Sequence, residues 1–434
     1  MSLAFVSTRG GAPAVGLSAA IAAGLAPDGG LYVPAHRVRA DLDALAAAPD
    51  LATTTAALLA PLFAGDALAE HLPAIAAAAL DFPVPLAPLA GDPDACLVEL
   101  FHGPTAAFKD VGARFLAQAL PRLPGGAGQG TVLVATSGDT GAAVAAACHD
   151  VPGLDVVVLY PHGRVSPRQA HQLGAFGGTV RAFAVDGSFD DCQAMAKAAF
   201  ADAGLRARRP LLSANSICLG RLLPQMGYYT HAAMAWQRDG RGPLNVIVPT
   251  GNLGNAVAAL MARAMGVPIG TVALACNANA TLPEFLAGAD YRPRASVATL
   301  ANAMDVGAPS NIERLRWLQP DADALRAATP AASFDDDAIR AAILAADRRH
   351  GLAVCPHTAC GLALLERLRA AGDRRPWAVA ATAHPAKFES IVEPLLGRAV
   401  EVPPALAAVL ARPSRHEPLA ATAAALRDVL LAGA

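Results

Sequence analysis

The middle of the chain alternates short apolar runs with longer helical runs, and this order constrains the fold more than any other feature. Each of four strand-like runs is followed by a run with helical periodicity: 131–136 then 142–148, 156–160 then 166–174, 179–185 then 190–202, and 245–249 then 255–265. Further runs have the composition of buried strands: 271–275, 352–355 and 377–381. Strands that alternate with helices predict parallel sheets covered by helices on both faces.

Length, charge and hydropathy limit the number of domains and the kinds of partner that this chain can have. The chain has 434 residues, which is too long for one core and predicts two or three domains. Its 34 Lys and Arg are balanced by 36 Asp and Glu without a basic run, so we expect no nucleic-acid partner. The most apolar region, 51–80, is interrupted by proline and acidic residues well short of the ~20 residues that span a bilayer, so we expect no membrane contact.

The seven cysteines are scattered along the chain, and none forms a CxxC pair. This pattern indicates neither a disulfide framework nor a zinc site, and we expect no bound metal. Reduced thiols are typical of cytoplasmic proteins, and we expect that location here.

Lys109 lies where an irregular segment, 101–110 (FHGPTAAFKD), meets a helix with an apolar face that includes Val111 and Phe115. A lysine held between Phe108 and a buried helical face is partly desolvated. Desolvation disfavours the ammonium form and makes a nucleophilic amine accessible, as a Schiff-base lysine requires. Taken alone, the segment is better explained by a solvated lysine in the first turn of a helix.

The segment TSGDTG, 136–141, joins a strand-like run to the next helical run. Ser137, Thr140 and free backbone N–H groups at a helix N-terminus favour a bound carboxylate or phosphate. Asp139 and Thr140 are also ordinary capping residues, so a capping turn without a ligand is the alternative.

A glycine-rich turn, PTGNLGN at 249–255, also lies between a strand-like run and a helical run. Gly251 and Gly254 allow the backbone to approach a ligand closely, and the helix dipole favours an anion. The turn is not GxGxxG and lacks the Lys-Ser/Thr of a P-loop, so a single phosphate group fits better than a dinucleotide or a nucleoside triphosphate. A tight turn without a ligand is the alternative.

Thr382 follows the strand-like run 377–381, on the ligand side of such a sheet. Its hydroxyl either bonds a heteroatom or caps a loop. A Schiff-base lysine, a phosphate loop and strand-end hydroxyls on one α/β scaffold together suggest pyridoxal 5′-phosphate. The aldehyde of this cofactor forms a covalent bond with the lysine, and its phosphate binds at the glycine-rich turn.

Together these segments resemble the threonine synthase family of the bacterial and fungal type. FHGPTAAFKD (101–110) resembles the lysine motif of that family, ATSGDTGAAV (135–144) its substrate loop, and TGNLGN (250–255) its phosphate loop. Further similar segments are SANSI (213–217) with Arg221, ANAMDV (301–306), TAHPAKF (382–388) and GLAPDGGLYVP (24–34). Related dehydratases and synthases of the same fold lack the HGPT and TAHPAKF versions.

The resemblance implies an α/β enzyme of pyridoxal-phosphate fold type II, with two doubly wound, mostly parallel αβα sheets and a mainly helical N-terminal domain. It implies that O-phospho-L-homoserine and water become L-threonine and phosphate, by γ-elimination and β-addition of water, in the last step of threonine biosynthesis. The expected domains are a helical N-terminal domain at 1–95, a large cofactor-binding domain at 96–110 and 211–400, a small domain at 111–210 and a helical tail at 401–434. We expect a monomer or a homodimer.

The matching motifs also imply a role for each site residue. Lys109 holds the cofactor covalently and is the catalytic base, Asp139 lies near the ring hydroxyl, and Thr382 faces the ring nitrogen. The cofactor phosphate is assigned to Gly251, Asn252, Leu253, Gly254 and Asn255. The substrate carboxylate is assigned to Ser137 and Thr140, and the substrate phosphate to Asn215, Ser216, Arg221 and Lys387, since an arginine fork suits a phosphate dianion.

Two other functions stay open from the sequence. A lyase of the same fold, such as a phospho-lyase or a threonine dehydratase, acts on another amino acid, and a dehydratase has no need of Arg221 or Lys387 for a substrate phosphate. A catalytically silent homologue keeps the cofactor site without turnover. The intact Lys109, Asp139 and Thr382 argue against the silent homologue.

Overall fold

The computed structural model describes residues 2–432 and contains three β-sheets. The strands are β1 (Phe5–Ser7), β2 (Tyr32–Pro34), β3 (Leu86–Leu89), β4 (Asp92–Glu99), β5 (Gly130–Ala135), β6 (Leu154–Pro161), β7 (Val180–Asp186), β8 (Leu211–Ser213), β9 (Leu244–Pro249), β10 (Ile269–Cys276), β11 (Ala331–Ser333), β12 (Trp377–Ala381) and β13 (Glu417–Ala420). A six-stranded sheet has the order β11-β10-β9-β12-β4-β3, a five-stranded sheet has the order β13-β7-β6-β5-β8, and β1 pairs with β2.

Helices cover both large sheets and form most of the N-terminal region. They are α1 (Leu17–Ala23), α2 (Leu42–Ala47), α3 (Leu51–Phe63), α4 (Leu72–Ala79), α5 (Lys109–Ala119), α6 (Asp139–Cys148), α7 (Pro167–Gly174), α8 (Phe189–Ala201), α9 (Ala203–Arg208), α10 (Leu219–Leu222), α11 (Gln225–Arg238), α12 (Gly254–Ala264), α13 (Thr281–Leu286), α14 (Ile312–Leu318), α15 (Ala322–Ala328), α16 (Asp336–His350), α17 (Pro356–Ala370), α18 (Glu389–Leu396), α19 (Pro404–Leu410) and α20 (Ala423–Ala432). Local capping fixes several starts: Ser166 and Ser188 each form a capping box with the residue three positions later.

The six-stranded sheet is parallel except at one edge, where β3 runs antiparallel to β4. β9 and β12 are neighbours in its centre, with Val379 opposite Ile247, and every residue of both strands is buried. Burial on both faces is the reason for the continuous apolar runs that predicted these strands. Their carboxyl ends bring the 250–253 turn and Thr382 to one edge of the sheet.

The five-stranded sheet is parallel throughout. Its strand β8 belongs to this sheet because Leu212 pairs with Val132 of β5. It therefore extends the sheet just beyond residue 210, the expected boundary of the small domain. Its other edge is formed by β13, in which Leu419 is opposite Val185. The 401–434 segment was expected to be a helical tail, and the structure corrects this, since a strand lies between α19 and α20. A four-residue strand with one buried side chain leaves almost no periodic signal in the sequence.

The N-terminal region is mainly helical, as expected, and packs on α5. The ring of Phe63 in α3 meets that of Phe115 in α5 edge to face, with centroids 6.2 Å apart. β3 and the start of β4 already belong to the six-stranded sheet although they precede residue 95, the expected boundary. The exact domain boundaries therefore stay predictions.

The expected fold class is confirmed: two mostly parallel sheets carry helices on both faces. The run 352–355, expected to be a strand, is instead an irregular segment before α17. Pro356 occupies the first turn of that helix, and the Cys355 sulfur accepts a hydrogen bond from the N–H of Thr358 at 3.4 Å. Across residues 2–432, none of the helices is long and apolar enough to cross a membrane.

Candidate active site

A cavity of about 1170 Å³ lies where the carboxyl ends of the two sheets face each other. Segments that follow β5, β8, β9 and β12 form its wall, together with the start of α5. The structure brings together at this wall all but one of the residues singled out from the sequence: Lys109, Ser137, Asp139, Thr140, Asn215, Ser216, Arg221, Gly251, Asn252, Leu253, Gly254, Asn255 and Thr382. Their roles remain proposals, but their proximity is a property of the fold.

Lys109 is the first residue of α5, and the preceding turn holds it in place. The backbone N–H of Phe108 donates to the carbonyl of Thr382 at 2.8 Å, which ties the lysine to the end of β12. Its Nζ donates to Oγ1 of Thr140 at 2.9 Å. Burial lowers the pKa of Lys109 to about 8. A substantial fraction of the amine is therefore neutral and nucleophilic near neutral pH.

The glycine-rich turn has a geometry that its sequence did not reveal. Leu253 adopts a left-handed conformation, with φ of 64°. At Gly251, a Cβ atom would lie 2.7 Å from Cα of Met304, so the absent side chain makes room for the neighbouring backbone. The expectation that this glycine serves the approach of a ligand is therefore incomplete, because the 301–307 segment already requires it.

Side chains on both sides hold the glycine-rich turn in one conformation. Nδ2 of Asn252 donates to Oγ of Ser216 at 2.7 Å, and Nδ2 of Asn311 donates to the Asn252 carbonyl at 3.0 Å. Asn255 receives hydrogen bonds on Oδ1 from the hydroxyls of Tyr228 and Tyr229, at 2.6 and 2.8 Å. These contacts leave the Asn255 Nδ2 group buried and without a partner. The turn is thus preorganised, with a spare donor at the start of α12.

Arg221 is a buried cation in the cavity wall. Its side chain is 1% exposed, donates to the carbonyl of Ala214, and leaves Nε without a partner. None of the ion pairs within residues 2–432 includes Arg221. Burial lowers its pKa to about 10, so it stays charged at neutral pH. A buried charge without a counter-ion is costly, and an anionic ligand removes that cost.

His357 is a wall residue that sequence reasoning missed. Its Nε2 accepts a hydrogen bond from the N–H of Ala303 at 3.1 Å. Burial lowers the pKa of His357 to about 4, so the ring is neutral and its proton lies on Nδ1. That nitrogen is buried and has no partner. The available signal was a histidine next to Pro356 at a helix start, which is too common to point to a site.

Lys387 is the exception among the expected residues. It is 0% exposed and does not reach the cavity wall. Its Nζ lies 2.9 Å from Oδ1 of Asp139 and donates to the carbonyl of Thr105 at 2.7 Å. An ammonium that is already neutralised by a buried carboxylate is not free to bind a substrate phosphate. We therefore withdraw that role for Lys387.

The wall fits pyridoxal phosphate. Four of its buried polar atoms lack partners: Oγ1 of Thr382, Nδ2 of Asn255, Nε of Arg221 and Nδ1 of His357. Buried polar groups are nearly always hydrogen-bonded, so these atoms indicate ligand contacts. An amine with lowered pKa, a preorganised turn at a helix N-terminus and a strand-end hydroxyl suit the aldehyde, the phosphate and the ring nitrogen of this cofactor.

Family profiles match nearly the whole chain. The profile described as "Pyridoxal-phosphate dependent enzyme" matches residues 84–385. "Threonine synthase N terminus" matches residues 4–79, and "Threonine synthase, C-terminal" matches residues 358–430.

Individual proteins give the same result. The chain is 39% identical to the threonine synthase of Escherichia coli (strain K12) over 88% of each chain, and 38% identical to that of Serratia marcescens over 96% of each. The crystal structure of the Escherichia coli threonine synthase superposes with a TM-score of 0.91 at 36% identity, covering 99% of this chain and 100% of that one. The crystal structure of pyridoxal-phosphate-bound threonine synthase from Brucella melitensis gives 0.89 at 32% identity, covering 99% of both chains. The chain belongs to the threonine synthase family of pyridoxal-phosphate-dependent enzymes.

Proposed function

We propose that this chain converts O-phospho-L-homoserine and water into L-threonine and phosphate. The observation that carries the proposal is a single cavity wall that contains both a nucleophilic amine, Lys109, and a buried guanidinium without a counter-ion, Arg221. An amino-acid substrate without a second anionic group does not need the guanidinium. A phosphorylated amino acid uses both.

Pyridoxal phosphate, once bound, supplies an electron sink for the electron pair left when a proton leaves the substrate α-carbon. Lys109 would hold the cofactor through Nζ, and the same amine would move protons at the α and β carbons of the substrate. The lowered pKa of Lys109 suits this work, because a base with a pKa near the working pH both accepts and returns a proton.

Ser137 and Thr140 bind the substrate carboxylate in this proposal. Both lie in the wall at the start of α6, where backbone N–H groups and the helix dipole favour an anion. The Thr140 hydroxyl accepts a hydrogen bond from Nζ of Lys109. With Lys109 bonded to the cofactor, this hydroxyl would be available to the carboxylate.

Arg221 binds the substrate phosphate, with Asn215 and Ser216 beside it in the wall. The phosphate leaves from the γ carbon, so a fixed cation there stabilises the charge of the leaving group. Thr382 faces the ring nitrogen with a neutral hydroxyl, which does not stabilise a protonated ring as a carboxylate does. Stabilisation of the leaving phosphate therefore contributes more to the reaction rate, and this makes Arg221 more important.

The 251–255 turn holds the cofactor phosphate through backbone N–H groups and the spare Nδ2 of Asn255. The expected assembly is a monomer or a homodimer. All seven cysteines are free and buried, which supports a cytoplasmic location.

The test is to incubate the cofactor-loaded protein with O-phospho-L-homoserine and to measure phosphate and threonine together. Equal release of both, abolished in Lys109→Ala, is the expected result. Phosphate with a keto acid in place of threonine supports a phospho-lyase that eliminates without adding water. Protein that has the visible absorbance of the lysine-bound cofactor but releases no phosphate has a different substrate.

A further inference from the structure

The distribution of lysine in this chain is unusual. Of the 34 basic residues only three are lysines, at positions 109, 197 and 387, and the others are arginines. Lys109 and Lys197 line the cavity, and Lys387 lies directly behind its wall. All three lysines thus lie at or directly behind one cavity, whereas every other basic residue of the chain is an arginine. Lys109 is explained by covalent chemistry, but no role has yet been assigned to Lys387.

Lys387 joins three segments of the site. It is carried by the turn Pro385–Phe388, which follows Thr382. Its ammonium contacts the Thr105 carbonyl in the segment before Lys109, and it contacts the carboxylate of Asp139 at the start of α6. The ion pair therefore links the six-stranded sheet to the five-stranded sheet. An arginine needs more room and places its donors in a plane, so it does not reproduce these contacts.

Asp139 is held through one oxygen only. Lys387 and Nε2 of Gln169 both bond Oδ1, at 2.9 and 3.0 Å. Gln169 is fixed in turn, because its Oε1 accepts from the N–H of Ser166 and from Nδ2 of Asn302. In the described part of the chain no hydrogen bond reaches Oδ2 of Asp139, although the residue lines the cavity. The Asp139 carboxylate is therefore held through Oδ1, and its Oδ2 is available to a ligand.

The resemblance to the threonine synthase family assigns Asp139 to the ring hydroxyl of the cofactor. In pyridoxal phosphate the ring hydroxyl and the phosphate arm flank the aldehyde carbon on opposite sides. The phosphate turn follows β9, whereas Lys387 and Thr105 follow β12 and β4, the next strands in the sheet. Lys387 and Thr105 thus lie on the side away from the phosphate turn, which is consistent with a ring hydroxyl near Asp139.

We propose that Lys387 is a positioning residue that keeps Asp139 anionic through Oδ1, so that Oδ2 accepts a hydrogen bond from the ring hydroxyl of the bound cofactor. The hydroxyl then keeps its proton, and the cofactor is held in its neutral-oxygen form. Lys387 touches neither cofactor nor substrate and acts only through Asp139. The inference concerns the cofactor site and does not depend on the identity of the substrate.

The charges around Asp139 support this assignment. Burial acts to raise the pKa of Asp139, but Lys387, His357 and Gln169 outweigh it and lower the pKa to about 2. The other titratable groups facing Asp139 are the Lys109 amine and the Cys355 thiol. Burial lowers the pKa of His357 to about 4 and raises that of Cys355, so both are neutral near pH 7. Among these side chains, Lys387 is the one that forms an ion pair with Asp139.

The test is an absorbance titration of the cofactor-loaded protein. In K387M the carboxylate loses its counter-ion, and burial alone raises a carboxyl pKa by up to ~3–5 units. Asp139 is then expected to titrate between about pH 5 and 8 and, once protonated, to donate to the ring oxygen. The cofactor spectrum of K387M therefore gains a pH-dependent shift that the wild type lacks. K387M/D139N loses that shift, because no carboxyl group is left to titrate.

K197M is the matched control, since it removes an exposed ammonium that lines the same cavity and is expected to leave the spectrum unchanged. A K387M protein with the wild-type titration overturns the proposal, as does one that only melts at a lower temperature. If K387M fails to hold the cofactor, D139N and K387M/D139N replace it in the comparison. Because Lys387 acts only through Asp139, these two variants must have the same spectrum, and different spectra overturn the proposal.

Discussion

Nζ of Lys109 donates a hydrogen bond to Oγ1 of Thr140 at 2.9 Å, so the reactive amine is held by a hydroxyl and not by a carboxylate. The distinction matters because a carboxylate stabilises the ammonium form, whereas a hydroxyl accepts a hydrogen bond without adding charge. Asp139, which also lines the cavity, instead forms an ion pair with Lys387. Of the two lysines, Lys109 is thus available to react, whereas Lys387 supports the site through Asp139.

The first prediction concerns the pH dependence of cofactor capture. The pKa of Lys109 is about 8 in the folded protein, and only the neutral amine attacks the aldehyde. The rate at which cofactor-free protein captures pyridoxal phosphate is expected to rise roughly tenfold per pH unit below about pH 8 and to level off above it. Stopped-flow absorbance measures the rate. A profile that keeps rising up to about pH 10, as for a solvated lysine, contradicts the pKa shift.

Arg221→Met is expected to raise KM for O-phospho-L-homoserine by about 10- to 100-fold, which corresponds to the loss of charge-assisted hydrogen bonds to the phosphate. The substrate-free variant is expected to melt no lower than the wild type, because the buried guanidinium has no counter-ion to lose. Steady-state kinetics and thermal melts check the two statements. Arg348→Met, at an exposed position on α16, is the control and changes neither.

Thr382→Asp is expected to reduce turnover tenfold or more while the protein still binds the cofactor. The new carboxylate stabilises a protonated ring nitrogen, which alters how electrons are distributed during the reaction. Thr382→Val removes the hydroxyl without adding charge and is expected to reduce turnover much less. Single-turnover measurements compare the two variants. Unchanged turnover in the aspartate variant means that Thr382 does not face the ring nitrogen.

Gly251→Ala is expected to weaken cofactor binding and to cost about 1–3 kcal/mol of stability, as overpacking does. The added Cβ lies 2.7 Å from Cα of Met304, and backbone cannot rotate away as a side chain can. Gly242→Ala has no atom within 4 Å of its new Cβ and is the matched control. Cofactor titration and chemical denaturation measure both effects. Equal behaviour of the two variants contradicts the close packing of the turn against the 301–307 segment.

The central strands could be predicted because strands buried on both faces are continuous apolar runs, and the cavity loops could be predicted because they follow those strands. β9 and β12 are continuous apolar runs, and the loops that follow them carry the motif residues. β13 could not be predicted, because Leu419 is its one buried residue and its pairing partner lies far away in the sequence. Local pattern carries no information about such a pairing.

The site could be predicted as a set of residues, but the state of each residue could not. The sequence offered Arg221 and Lys387 as equal candidates for a phosphate, and both are fully buried cations. Only the fold shows that Lys387 has an aspartate partner whereas Arg221 has none. His357 was missed because its importance lies in an unpartnered nitrogen, which is a property of three-dimensional packing.

The pairing of β13 with β7 has a consequence for the order in which the protein can mature. Strands β5 to β8 are made about 200 residues before β13, the strand that covers the edge of β7. Until then β7 presents an open row of backbone donors and acceptors, which is a template for wrong pairing. The five-stranded sheet is therefore complete only after residues 417–420 have been made, because β13 then covers the edge of β7. A ribosome that pauses before residue 417 leaves the enzyme with an exposed, aggregation-prone edge.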